Sequence, residues 1–147
     1  MLSRTSYTRE YVDACRSRIA SEVAAYRHLV ATARTEAHDA ARLDAAITAF
    51  EPKFFNTLVI ALDGSFMHRA RGLEGKDGNP LNEVRVLCES LMANAGALAA
   101  DKQIKLLPET SVLGYRVGDE IALGDAQFER LSQGYFAEIE RRYPEGD

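Results

Sequence analysis

What is scarce in this sequence narrows it first. There is no tryptophan, and only two cysteines occur among 147 residues. Two thiols cannot build the dense disulfide framework of a small secreted domain. Cys15 and Cys88 both fall on apolar helical stripes, where buried reduced thiols are expected. Cytoplasm is therefore the default compartment. No apolar run approaches the ~20 residues that span a bilayer. The opening stretch through Tyr11 carries no apolar core of a secretory leader, so no membrane segment is expected. Basic residues are not in excess: 18 Lys and Arg face 22 Asp and Glu, for a net charge of −4. General nucleic-acid binding needs a basic footprint, and this balance argues against it.

Chemistry-bearing motifs are equally scarce. Glu-x-x-His pairs, which put two metal ligands on one helical face, do not occur. Neither does His-Glu-x-x-His nor a paired Cys-x-x-Cys. The three histidines, His28, His38 and His68, are scattered. The stretch from Gly75 to Asn79 has glycines and a lysine but not the spacing of a phosphate loop, and it follows a helix rather than a strand. Asp77 and Asn79 do not continue into a calcium loop, whose bidentate glutamate is missing. No serine stands at a spacing that suggests a nucleophile triad. No cofactor or metal is expected.

What is present is helical periodicity. At about 100° per residue from Phe54, the side chains of Phe55, Leu58, Val59, Leu62, Phe66 and Leu73 share one face. A loop rich in glycine and charge follows. Asn79 then offers an N-cap and Pro80 fits the first helical position. Leu81, Val84, Cys88, Leu91, Ala95 and Leu98 form the second stripe. So short a connection predicts an antiparallel hairpin.

Before it, residues 6–51 contain neither Gly nor Pro. Val12, Cys15, Ile19, Glu22, Tyr26, Leu29, Ala33, Glu36, Ala40, Leu43, Ile47 and Phe50 recur at heptad-type spacing. One unbroken helix over this stripe would be about 60 Å long and would have to bury its far half on a second subunit. The alternative is a reversal between Ala31 and Thr35. The long helix, and with it a homodimer, is the expectation. Pro52 is expected to break or kink the chain and to open the Phe54 helix. After Ala100 the chain turns irregular, with Ile104–Leu107 and Ile121–Leu123 as candidates for a small hairpin. Val112-Leu113-Gly114-Tyr115 should tuck under the bundle. Asp125 is expected to cap a final helix that buries Phe128, Leu131, Phe136, Ile139 and Tyr143. The fold class is thus all-α: one domain over 1–147, an antiparallel bundle of four or five helices with a loop-rich segment before the last.

Arg69 interrupts the pattern, because its direction falls inside the apolar stripe. A buried guanidinium must meet a carboxylate or a ligand. Glu83 is the expected partner, with Glu22 and Glu89 as alternatives. Three functional readings follow. The first is a non-catalytic cytosolic binding or interaction module, in which Asp63, His68, Arg69, Arg71, Lys76 and Glu83 form a cluster that engages a small anionic ligand. The second is a small enzyme in which His68 is the acid/base and Arg69 clamps an anion. The third makes the cluster purely structural.

Overall fold

The computed structural model describes residues 2–146. Four α-helices build an all-α bundle: α1 (Arg9–Glu36), α2 (Ala40–Gly64), α3 (Pro80–Ala93) and α4 (Asp125–Arg142). A single 3-10 turn, Arg71–Leu73, lies between α2 and α3. Thr8 opens α1 by accepting from the Tyr11 N–H. Its buried side is Val12, Cys15, Ile19, Val23 and Tyr26. Val23 replaces Glu22 in the expected stripe, and Glu22 is exposed.

The unbroken helix to Phe50 does not form. The chain reverses at Ala37–Asp39, two residues beyond the alternative window. Asp39 makes this reversal without Gly or Pro, because its carboxylate accepts from Arg42 N at 3.0 Å and caps α2. The argument for a dimer from helix length falls with it. Pro52 does not start a helix either: it lies inside α2. A proline there removes only the donor to the Thr48 carbonyl, and Thr48 is exposed to water.

The second half of α2 is the centre of the core. Phe55, Val59, Leu62 and Phe66 are fully buried, and Leu58 nearly so. Leu73, expected on the same stripe, is in the 3-10 turn and exposed. By length and composition alone α2 can cross a membrane, contrary to the expectation that no apolar run is long enough. Glu51 and Lys53 sit in its middle, however, where a bilayer would penalise them, and Glu51 accepts from the Tyr26 hydroxyl.

Asn79 caps α3 as expected, accepting from Leu81 N at 3.1 Å and Asn82 N at 3.2 Å. The helix ends at Ala93, so Ala95 and Leu98 lie beyond it. Residues 101–124 contain no hairpin. Isolated bridges pair Asp77 with Lys105 and Ala97 with Glu120. Val112, Leu113 and Tyr115 do pack against the core. The cap of α4 is Gly124, not Asp125, which is the first helical residue. A Cβ on Gly124 would come within 2.9 Å of Glu51 Oε2, so a side chain there would have to displace the end of Glu51. Phe128, Leu131, Phe136, Ile139 and Tyr143 are buried as expected, together with Tyr135.

Pairs at both ends fix the directions. Tyr26–Glu51 and Arg34–Asp44 make α1 and α2 antiparallel. Arg16–Glu140 and Arg27–Asp125 do the same for α1 and α4. Because α4 begins level with Arg27, the α1–α2 hairpin continues past the bundle as an arm. Leu29 and Phe50 are exposed there, and Val30, Ala33, Leu43 and Ile47 are half-buried between its helices.

Candidate functional site

Polar or accessible groups gather at an ionic knot inside the bundle, at a groove on its side and at smaller clefts such as the one beside His68. The knot is built where α2 ends. Phe66 N donates to Asp63 O, and His68 takes a left-handed conformation at φ 63°. That turn swings Arg69 back toward the core, where the residue is only 6% exposed. The 3-10 turn then brings in Glu74, which is 1% exposed.

Arg69 Nε donates to Glu74 Oε1 at 3.2 Å and Nη2 donates to the same oxygen at 3.0 Å. Nη1 reaches Asp63 Oδ1 at 2.9 Å, Tyr135 Oη at 2.8 Å and the Phe66 carbonyl at 3.0 Å. The Tyr135 hydroxyl in turn donates a hydrogen bond to Asp63 Oδ1 at 3.1 Å. On the other side of Glu74, Arg85 donates at 3.2 Å and the Tyr143 hydroxyl lies 2.8 Å from Oε2. Two guanidinium groups thus meet two carboxylates, and the formal charge inside the knot cancels.

The electrostatics follow this geometry. Burial alone would raise the Glu74 carboxyl, but the hydrogen bonds and charge of Arg69, with Tyr143 and Arg85, hold it below the ordinary 4.5. Burial opposes the charge on Arg69, yet Tyr135, Glu74 and Asp63 keep it firmly protonated. Burial, reinforced by Asp63, pushes the Tyr135 phenol well up. The Cys88 thiol is likewise raised by burial and by Asp63. Its Sγ points at the Val59 carbonyl at 3.6 Å.

The structure brings together only Asp63 and Arg69 of the six residues singled out in the sequence. Glu83 is not the partner of Arg69, and Glu22 and Glu89 are not either. Glu83 faces the loop-rich segment, where its carboxylate accepts from Val112 N at 2.7 Å and Leu113 N at 3.0 Å. Burial raises its carboxyl, and the two N–H donors only partly offset this. Asn82 also turns away, holding the carbonyls of Gly75 and Asp77. Arg71 and Lys76 are exposed. His68 is exposed too, on the edge of a polar cleft of about 500 Å³ shared with Arg4, Ser6, Thr8 and Tyr11.

Glu74, Arg85, Tyr135 and Tyr143 are the members that periodicity did not assign to the cluster. Tyr135 was within reach: it stands four residues after Leu131 and four before Ile139, on the buried stripe. Glu74 carried no such signal, because it sits in a loop and meets Arg69 through a left-handed turn. Among the described residues, no three His, Cys, Asp or Glu side chains converge as a metal site.

The groove lies between α1 and α4 and encloses about 560 Å³. Ile19, Val23, Phe128 and Phe136 form its apolar floor, while Ala20, Ala24 and Ala137 keep its rims low. Ion pairs close both ends. Arg16 pairs with Glu140 at one end and lies over the Phe136 ring. At the other, Arg27 grips Asp125 through Nε at 2.8 Å and Nη2 at 2.7 Å, with Glu129 beside it at 3.4 Å. No protein-family model matches the chain, and no curated protein or solved structure matches it.

Proposed function

We propose that this chain is a non-catalytic helical interaction module whose binding surface is the α1–α4 groove. One observation carries this reading. The groove is open and apolar with small residues on its rims, while Arg69, Asp63 and Glu74 in the interior spend their hydrogen bonds on one another and on Tyr135 and Tyr143. A helix laid along such a groove buries apolar side chains between the flanking ion pairs, the helix-in-groove mode of recognition. Arg69 then acts as a strut that locks the end of α2 to α4, not as an anion clamp, because Nη1 already serves three oxygens. Cytoplasm is the compartment we propose, since Cys15 and Cys88 are both free thiols.

An environment-sensitive apolar dye of the anilinonaphthalene sulfonate type tests the reading. At the lowest workable chain concentration, the native protein should bind it saturably. Ala24→Glu should abolish binding while far-UV circular dichroism and the melting temperature stay unchanged, because Ala24 is exposed. Dye binding that ignores Ala24→Glu would remove the groove as the surface.

A further inference from the structure

The charges on the groove already pair across its rims within one chain, Arg16 with Glu140 and Arg27 with Asp125 and Glu129, and their side chains stay partly exposed. Each cation lining it belongs to α1, as Arg16 and Arg27, and each anion to α4, as Glu129 and Glu140. The two helices run antiparallel, so each end of the groove presents one basic and one acidic rim. Arg16 and Arg27 stand eleven positions apart, about 16 Å along the helix.

We infer that the occupant of this groove is the same face of a second copy of the chain, related by a two-fold axis parallel to α1 and α4. This rests on the groove being the binding surface, and names its partner. The charges select the axis. A two-fold parallel to the helices places α1 of one copy against α4 of the other at the same height. Arg16 then meets the partner's Glu140, and Arg27 meets the partner's Glu129. A two-fold across the helices would instead stack α1 on α1 and α4 on α4, with Arg16 facing the partner's Arg27. Like charges so juxtaposed oppose association. The parallel arrangement is isologous, each copy giving and receiving the same contacts. Ala20 and Ala24, both exposed on the crest of α1, let that helix settle toward the partner's floor of Ile19, Val23, Phe128 and Phe136. The partner covers an apolar surface that neither copy covers alone.

Charge swapping tests this. Light scattering across a concentration series should give twice the 16.2 kDa of one chain. Arg16→Glu with Arg27→Glu, and separately Glu129→Arg with Glu140→Arg, should each weaken self-association by roughly tenfold or more. Mixed one to one, the two variants should restore it, since acidic α1 then faces basic α4 and the native rims face each other. The changed side chains are about half exposed, and far-UV circular dichroism checks that each variant is folded. Ala24→Glu, which alters no ion pair, provides the second route and should also give monomers. Bound dye per chain should fall as wild-type concentration rises.

A wild type that stays monomeric throughout overturns the inference. So do charge variants and Ala24→Glu that associate like wild type, or a mixture that fails to recover. If the monomer still binds dye in an Ala24-dependent way, the groove reading stands and only the second copy is excluded. If dye binding is absent as well, both fail.

Discussion

Arg69 is the residue on which the interior depends most. Its guanidinium ties Asp63 near the end of α2, Glu74 in the following loop and Tyr135 on α4. Replacing it with leucine leaves two carboxylates facing no cation but Arg85. Arg69→Leu should therefore cost about 3–5 kcal/mol, the usual penalty for stranding one partner of a buried pair. Urea unfolding measures this, and a variant within error of wild type would mean that the network adds nothing to stability. Glu74 adds a pH signature. Its carboxyl titrates below 4.5 in the folded protein, through the balance of burial against Arg69, Tyr143 and Arg85. Its contribution is complete above pH 4.5 and is lost as pH falls through the lowered value. Glu74→Gln should be less stable than wild type at neutral pH and should lose stability less steeply below 4.5. Parallel acid profiles would show that another group governs that limb. The inward direction of Arg69 agrees with the helical phase of the sequence, but α2 ends at Gly64 and the turn through His68 is what sets it. Its partner was not legible, since a single left-handed residue, His68, redirects the chain and hands Arg69 to Glu74.

At the level of elements, periodicity located the buried faces of α2 and α4 better than the points where helices begin and end, but in α3 it missed Val86, Leu87 and Ser90, while Cys88 and Leu91 are only half-buried. The stripe of α2 from Phe55 to Leu62 is buried, with Phe66 in the turn just past its end, as is that of α4 from Phe128 to Ile139, with Tyr143 at its C-cap. The boundaries moved because a cap or a proline is weighed against tertiary packing. Asp39 suffices to turn the chain between α1 and α2. Pro52 fails to stop α2, because Tyr26 holds Glu51 on one side and Phe55 anchors the core on the other. Glu83 spends its charge on two loop N–H groups, a long-range contact with Val112 and Leu113 that no spacing rule encodes. The proline retains a cost. Pro52→Ala restores a donor to the Thr48 carbonyl and removes a ring from the helix interior, where proline is about 3 kcal/mol worse than alanine. A gain of about 1–3 kcal/mol is expected. Thermal melts read it directly, and a loss would show that packing around the Pro52 ring outweighs the missing donor.

For the whole molecule, the balance is between a dense bundle and an arm that leaves it. A 28-residue helix such as α1 is about 42 Å long. A compact chain of this length has a radius of gyration of only ~15 Å. Some of α1 must therefore project, and beyond Arg27 none of its residues is fully buried. The arm is held by the half-buried Val30, Ala33, Leu43 and Ile47 between its helices and by Arg34–Asp44, a pair at 3.5 Å with both side chains mostly exposed, which contributes little. Few buried apolar contacts and an exposed surface mark a segment of low local stability. Removing 30–36 and 40–46 together shortens each helix by seven residues and keeps its helical phase, leaving the Ala37–Asp39 turn in place. This deletion should cost less than about 2 kcal/mol, because the remaining bundle keeps the knot and the floor of the groove. It should also preserve self-association, since Arg16, Ala20, Ala24 and Arg27 all remain. Urea unfolding and light scattering on the shortened chain decide both points. A loss comparable to the ~5–15 kcal/mol that holds a domain together would make the arm part of the folding core. A stable monomer would instead move the contact between copies from the groove to the arm.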